Sequence, residues 1–269
     1  MNEHKFDQKG GIYSKARPSY PDELFAYLKE HDFISESTVA ADIGSGTGIF
    51  LEKLCPYVSR IFAIEPNSDM RAVAEEKYAA HKNIISVNGS AENTKLSDKS
   101  VDFITAAQAF HWFDRQSFKA ECRRILKDNG NILLVWNDRD TESELIRENY
   151  DINRRFCPNF KGSSNGIDFS KEAFADFFEG DYIVVEFGND LIYDENAFVS
   201  RCLSSSYAPN PDEKNYNEYV AELQKLFKKY NQNGTVPTLT SHDAISAKSE
   251  QSDNICSLFS ASGYPAAVD

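Results

Sequence analysis

The sequence predicts an α/β fold: a doubly wound, mostly parallel sheet with helices on both faces. Three observations predict it. Short apolar runs alternate with segments whose apolar residues recur at helical spacing. A glycine cluster follows the first apolar run directly. The alternation persists to residue 137 and then changes character. Strands alternating with helices imply a parallel sheet covered on both faces, and right-handed crossovers wind it in both directions.

The elements follow in order. TVAADI (38–43) reads as a buried strand, and IFLEKLCPYV (49–58) as the helix after it. RIFAIE (60–65) is a second strand. Residues 68–80 are a helix with Met70, Val73, Ala74 and Lys77 on successive turns. NIISVN (83–88) and VDFITAA (101–107) are the third and fourth strands. Residues 114–127 place Phe118, Cys122, Ile125 and Leu126 on one helical face. A turn at Asp128-Asn129-Gly130 precedes the fifth strand, NILLVW (131–136).

Beyond 137 the pattern is less regular. Residues 141–157 read as a charged helix, 160–170 as a loop and 171–178 as a helix. DYIVVEFGNDLIYD (181–194) is strand-like, and 195–206 and 213–231 are helical. This half is expected to complete the sheet and cover its edge. The segment 241–269 is rich in Ser and Ala, so order throughout it is not expected. Three units follow from the pattern: a core over 36–137, sheet completion and a substrate cap over 138–240, and a polar tail over 241–269.

Composition narrows the function. A chain of 269 residues, 41% hydrophobic, suffices for one large α/β domain with or without a cap. A formal net charge of −13 repels phosphate backbones, so no nucleic-acid partner is expected. Arg123-Arg124 and Lys228-Lys229 are too short to make a basic patch. There is no apolar run of about 18 residues, so no membrane span is expected. The polar start MNEHKFDQKGG lacks a signal core, which points to the cytoplasm. The five cysteines (55, 122, 157, 202, 256) are odd in number and never at CxxC spacing. Neither a metal site nor a disulfide framework is expected.

Ligands of doubly wound sheets sit outside the carboxyl ends of the strands, so the residues after each strand are the candidate site. After the first strand comes ADIGSGTG (41–48), with Gly44, Ser45, Gly46 and Gly48. Glycines permit positive φ and let a ligand approach the backbone. The GxGxG spacing is neither the dinucleotide GxGxxG nor a phosphate loop ending in Gly-Lys-Ser/Thr. Glu65 ends the second strand, 17 residues beyond Gly48, where a carboxylate can accept both hydroxyls of an adenosine ribose. Asn88-Gly89-Ser90-Ala91-Glu92 follows the third strand and can frame an adenine ring. Gln108-Ala109-Phe110-His111-Trp112-Phe113 follows the fourth, a polar and aromatic loop suited to a pocket wall. His111 and Trp112 also fit a plain packing role.

ADIGSGTG, FAIEP, GSAE and QAFHWFD, in this order and spacing, resemble class I S-adenosylmethionine (SAM) dependent methyltransferases. The resemblance is strongest to the methyltransferase type 11 group that includes trans-aconitate methyltransferase-like proteins. YSKARPSYP (13–21), Trp136-Asn137 and LSSSYAP (203–209) add to it, and it covers roughly residues 10–235. It implies a Rossmann-like seven-stranded sheet with an N-terminal lid over residues 1–35. It implies SAM as cofactor and S-adenosylhomocysteine (SAH) as product. Asp42 and Gly44 to Gly48 would contact the methionine end, Glu65 the ribose with Met70 near it, and Ser90, Ala91 and Glu92 the adenine. Gln108 would sit near the sulfonium. Tyr13, Arg17, Tyr20, His111, Trp112 and Asn137 would face the acceptor.

Two departures matter. TVPTLTSHDAISAKS (235–249) is a poor match to the group's final strand, which puts the seventh strand in doubt. No Asn/Asp-Pro-Pro-Tyr/Phe motif follows the fourth strand, which argues against adenine or glutamine-amide methylation. The expected acceptor is a small molecule, and a carboxylate suits the acidic surface and Arg17. His111 is the one general base the motifs offer for a hydroxyl or amine acceptor. A non-catalytic SAM-binding module and a methyltransferase acting on a protein stay open as alternatives. The oligomeric expectation is a monomer or homodimer.

Overall fold

The computed structural model describes residues 19–137, 139, 143–162, 166, 171–178, 182–189, 191–238 and 241–246. Tyr13 and Arg17 lie outside the described residues, as does most of the expected lid and everything after 246.

Five parallel strands form the sheet core: β1 (Val39–Ile43), β2 (Arg60–Ile64), β3 (Ile84–Val87), β4 (Val101–Ala107) and β5 (Leu126–Asn137). Their order is β3-β2-β1-β4-β5. The chain steps outward from β1 to β3, then returns to place β4 on the other side of β1. The order therefore reverses between β1 and β4, and the crevice of a doubly wound sheet opens there. Ile43, Ile64, Phe103, Ile104, Leu133 and Leu134 are fully buried. Strands covered on both faces read as continuous apolar runs for this reason. Each such side chain gains roughly 1.5–3 kcal/mol on burial.

Helices α1 (Asp22–Glu30), α2 (Ile49–Leu54), α3 (Ser68–Lys77) and α4 (Arg115–Ile125) complete this half. The Asn67 side chain caps α3, accepting from the backbone N–H groups of Asp69 and Met70 at 3.1 and 3.0 Å. Asp114 caps α4 through Ser117 N–H at 2.9 Å. Two ends differ from the sequence reading. The expected helix 49–58 becomes a short 3-10 turn at Cys55–Tyr57. The expected helix 114–127 stops at Ile125, because Leu126 already pairs with Val101. Asn131 pairs with Phe103, so residues 127–130 bulge opposite Asp102. Asp102 holds that bulge, accepting from Lys127 Nζ at 2.8 Å and from Val39 N–H at 2.9 Å.

A second apolar cluster is built by α5 (Glu144–Phe156), α7 (Glu195–Leu203) and α8 (Tyr216–Tyr230). Leu145, Ile152, Phe198, Cys202, Tyr219 and Leu223 form its centre. Inside it Tyr219 Oη donates to Asn153 Oδ1 at 2.8 Å, so the buried hydroxyl is satisfied. Helix α6 (Lys171–Phe178) packs Phe174, Phe177 and Phe178 on the first core instead.

The strand-like stretch 181–194 is two strands rather than one. β6 (Ile183–Gly188) joins the large sheet, whereas β7 (Leu191–Tyr193) pairs with β8 (Val236–Thr238) in a two-stranded ribbon. Of the expected tail, only its start lies within the described residues. Residues Ser241–Ser246 form β9, antiparallel to both β5 and β6. The described sheet order is thus β3-β2-β1-β4-β5-β9-β6.

Candidate functional site

A cavity of about 600 Å3 opens at the carboxyl ends of β1, β2 and β4, at the order reversal. Four loops build it. The first follows β1, where Gly44, Gly46 and Gly48 all hold positive φ, at 71°, 56° and 82°. The N–H groups of Gly44 and Ser45 donate to Ile64 O at 2.8 and 3.1 Å and bind this loop to the end of β2. A Cβ on Gly44 would stand 2.7 Å from Ala109 Cβ, so only glycine lets the two loops meet. Gly44, Ser45 and Gly46 line the cavity. Gly48 does not, contrary to expectation. It begins α2 in a left-handed conformation, under the Tyr78 ring, whose hydroxyl donates to Gly48 O at 2.6 Å.

Asp42 is the buried centre of the site, at 1% exposure. The parallel register sets it beside Thr105 of β4, whose hydroxyl donates to Asp42 Oδ1 at 2.7 Å. Asp42 Oδ2 is buried with no hydrogen-bond partner, and so is the hydroxyl of Thr47, another wall residue. Burial drives the Asp42 pKa up to about 7; the Thr105 bond opposes this and the Glu65 charge adds to it.

Glu65 accepts from Gly46 N–H at 2.9 Å and from Asn67 N–H at 2.8 Å. Its carboxylate thus bridges the glycine loop and the start of α3. Arg71 supports the bend, donating from Nη1 to Glu65 O at 2.8 Å. Met70 is buried on the same wall. Ser90, Ala91 and Glu92 line the cavity from the loop after β3, and Glu92 Oε1 accepts from Asp114 N–H at 3.1 Å.

Gln108 follows β4 with φ +55°, a strained value for a residue with a Cβ. Its N–H donates to Val135 O at 2.7 Å, and its buried Nε2 has no hydrogen-bond partner. The chain then makes a 3-10 turn over Phe110–Trp112. That turn puts Trp112 on the cavity wall, and His111 is not among the described wall residues. His111 Nδ1 instead accepts from Trp136 Nε1 at 3.4 Å. The expectation that His111 faces the reacting groups is therefore corrected. Tyr20 lines the cavity, edge-on to Phe50 with ring centroids 5.0 Å apart. Asn137, at the end of β5, also lines it and leaves a buried Oδ1 without a partner.

The expected residues Asp42, Gly44, Ser45, Gly46, Glu65, Met70, Ser90, Ala91, Glu92, Gln108, Tyr20, Trp112 and Asn137 thus share one cavity. Thr47 and Phe113, from the quoted motifs, join them, as do Asp114 and Arg201, which were not singled out from the sequence. Asp114 closes the quoted QAFHWFD motif, a signal that was there to use. Arg201 sits far along the chain on α7 and carried none. Among the described wall residues the acids are Asp42, Glu65, Glu92 and Asp114, so the cavity favours a cationic ligand.

Comparison with known proteins agrees with this geometry. Residues 41–134 match the family described as a methyltransferase domain. An uncharacterized methyltransferase-like protein of Schizosaccharomyces pombe is 28% identical over 240 residues, 87% of each chain. An uncharacterized methyltransferase of Mycobacterium tuberculosis is 34% identical over 143 residues, 53% of this chain and 56% of its own. The chain thus spans most of the first relative and about half of the second. Among solved structures, one assigned as a type II methyltransferase from Anaeromyxobacter dehalogenans superposes with a TM-score of 0.60 at 22% identity. It covers 86% of this chain and 97% of its own. The YcgJ protein of Bacillus subtilis gives 0.58 at 19% identity, covering 86% and 100%. These two likenesses concern the fold. Residues 41–134 thus match the methyltransferase-domain family, and the sheet order, glycine loop and strand-end acid agree with the fold of class I SAM-dependent methyltransferases.

Proposed function

We propose that the chain methylates a carboxylate oxygen of a small-molecule acceptor, using SAM held in the cavity described above. The observation that carries this is the buried Asp42 Oδ2, unpartnered on a wall of acids. A buried carboxyl in that state is stabilised by a cationic donor group, and the α-ammonium of SAM is one. The unpartnered Thr47 hydroxyl and the open space beside Gly46 fit the same ligand.

When bound, SAM would supply an activated methyl group on a positive sulfur, which a carboxylate oxygen can accept without a base, leaving the thioether SAH. The protein's work is alignment and electrostatics. Holding two reactants in contact is worth roughly 7–11 kcal/mol. In this reading Glu65 receives the ribose hydroxyls beside Met70, and Asp42 with the glycine loop receives the methionine end. Ser90, Ala91 and Glu92 border the adenine. Gln108 Nε2 donates to an acceptor oxygen, while Tyr20, Trp112 and Asn137 close the acceptor side. The position of His111 outside the cavity suits an acceptor that needs no proton removed.

Incubation with SAM labelled in its methyl group and a panel of organic acids tests the reading. Label is expected in base-labile methyl esters. Transfer only to amines, alcohols or a protein would overturn the carboxylate assignment.

A further inference from the structure

Two buried polar atoms of opposite sense stand at neighbouring strand ends and leave each other unsatisfied. β4 and β5 run in parallel with Ala107 beside Val135. Gln108 therefore begins the loop after β4 next to the last two residues of β5. Its Nε2, a donor, is buried with no hydrogen-bond partner, and so is Oδ1 of Asn137, an acceptor. Asn137 is 8% exposed, and both residues line the cavity. Leaving a buried donor or acceptor unpaired costs about 1–3 kcal/mol, so an occupant that pairs with both gains from each.

The cofactor does not account for Asn137. In the proposed reading its ammonium goes to Asp42 and its ribose hydroxyls to Glu65. The strands stand in the order β2-β1-β4-β5. Asn137 therefore lies two strand spacings beyond Asp42 and three beyond Glu65, about 10 Å and about 14 Å away. That is the acceptor side. A carboxylate offers acceptor oxygens only. It satisfies Gln108 Nε2 but sets oxygen against oxygen at Asn137. The Asn137 oxygen calls for a second group, one that donates. An ammonium is held best by a carboxylate, and none of the described acids of the wall stands on β5. A neutral hydroxyl fits.

We infer that Asn137 determines specificity: its Oδ1 accepts a hydrogen bond from a hydroxyl that the acceptor carries beside the carboxylate to be methylated. The inference rests on the proposed carboxylate reading and narrows it to hydroxy acids. The two strand ends are about 5 Å apart, which suits a hydroxyl on the carbon next to the carboxylate. Asparagine holds a hydroxyl proton and is not among the side chains that remove one. The hydroxyl is thus recognised and not methylated. A lone pair of the carboxylate oxygen forms the new O–CH3 bond. The S–CH3 pair stays on sulfur, and no proton moves. A site built to pair with a substrate hydroxyl rejects the analogue that lacks it, because its own polar atom is then left buried and unpaired.

The test compares acids in three forms on one carbon skeleton: plain, 2-hydroxy and 2-methoxy. Wild type and Asn137→Leu are assayed with methyl-labelled SAM, and base-labile ester is counted apart from base-stable ether. Thermal unfolding and SAH calorimetry check each protein. Wild type is expected to favour the 2-hydroxy form over the plain acid by about tenfold to a hundredfold in kcat/KM. The 2-methoxy form is expected to fare no better than the plain acid, because its oxygen cannot donate. Asn137→Leu is expected to bring the hydroxy-to-plain ratio to within about threefold of one, with SAH affinity kept within about twofold. Esterification without a hydroxyl preference, or with methoxy as good as hydroxy, overturns the inference and leaves carboxylate methylation standing. These wild-type comparisons decide the matter even where Asn137→Leu fails to fold. A ratio that survives in folded Asn137→Leu marks a merely structural residue and overturns its role in specificity. Loss of SAH affinity in that folded variant assigns Asn137 to the cofactor and overturns it equally. Label in ether alone, or SAH binding with no esterification across the panel, overturns both readings.

Discussion

Thr105 donates its hydroxyl proton to one oxygen of Asp42 at 2.7 Å across the β1/β4 pair, and the other oxygen is buried without a partner. The half-satisfied carboxyl sits where the sheet order reverses. It is unfavourable for the empty protein and favourable for binding a cation. Asp42→Asn is therefore expected to abolish SAM binding while raising the melting temperature of the ligand-free protein at pH 8. Each kcal/mol regained corresponds to about 2–4 °C for a domain of this size. A lower melting temperature with intact SAM binding would contradict this.

The same carboxyl makes binding pH-dependent. Its pKa in the fold is raised to about 7 from an ordinary value of 3.8. The native state therefore holds a proton that the unfolded chain has released. Its stabilising share is complete below pH 3.8 and is lost as pH rises through about 7. Cofactor binding runs the other way, because the cation needs the ionised form. Calorimetry from pH 8 to pH 5.5 is expected to show SAM affinity falling below about pH 7, by at most about tenfold per pH unit.

Glu121 tests a structural site away from the cavity. It accepts from Thr94 N–H and Oγ1 at 2.7 and 2.6 Å and from Arg124 Nε and Nη2 at 2.9 and 2.8 Å. Burial alone would raise its pKa, but these bonds outweigh it and bring it down to about 2. The stability it contributes is present above pH 4.5 and lost as pH falls through about 2. Glu121→Gln is expected to cost about 1–3 kcal/mol at pH 7 and to leave SAH affinity unchanged. Denaturant titration at pH 7 and at pH 3 measures both effects, and the gap between variant and wild type narrows at the lower pH.

Gly44→Ala joins strain to a collision. The positive φ costs of order 1–3 kcal/mol for a residue with a Cβ, and that Cβ would stand 2.7 Å from Ala109 Cβ. The loop after β1 and the loop after β4 are expected to separate, with SAM affinity falling more than global stability. Paired calorimetry and thermal unfolding distinguish a loop effect from general loss of fold.

His111 gives a prediction of small effect. Removing a general base typically costs about 10²–10⁴ in rate. His111→Gln is expected to keep kcat on a carboxylate acceptor within about fivefold of wild type, since the ring faces Trp136. A hundredfold loss with normal SAH binding would restore His111 to the chemistry.

Strand and helix rhythm made the parallel core readable, because strands buried on both faces must be apolar almost throughout. Asp42 was readable because it stands at the carboxyl end of β1, and Gly44, Gly46, Glu65 and Gln108 because they come just after a strand. Three features were not. Strand β9 (Ser241–Ser246) has a mixed composition, and its place is set by backbone pairing with β5 and β6. His111 and Trp112 are neighbours in a 3-10 turn, where successive side chains differ by about 120°. No sequence pattern states which of the two enters the cavity. Arg201 and Asp42 line one cavity only through the packing of the α7 cluster, a relation of tertiary structure alone.

The central claim is that Glu65 and the glycine loop hold SAM. Isothermal titration of SAM and SAH into wild type and Glu65→Ala tests it most directly. Wild type is expected to bind both, and Glu65→Ala to weaken both by about tenfold or more, since the proposed function gives this carboxylate two ribose hydroxyls. A wild type that binds neither, or a Glu65→Ala protein that binds as tightly as wild type, would contradict the account.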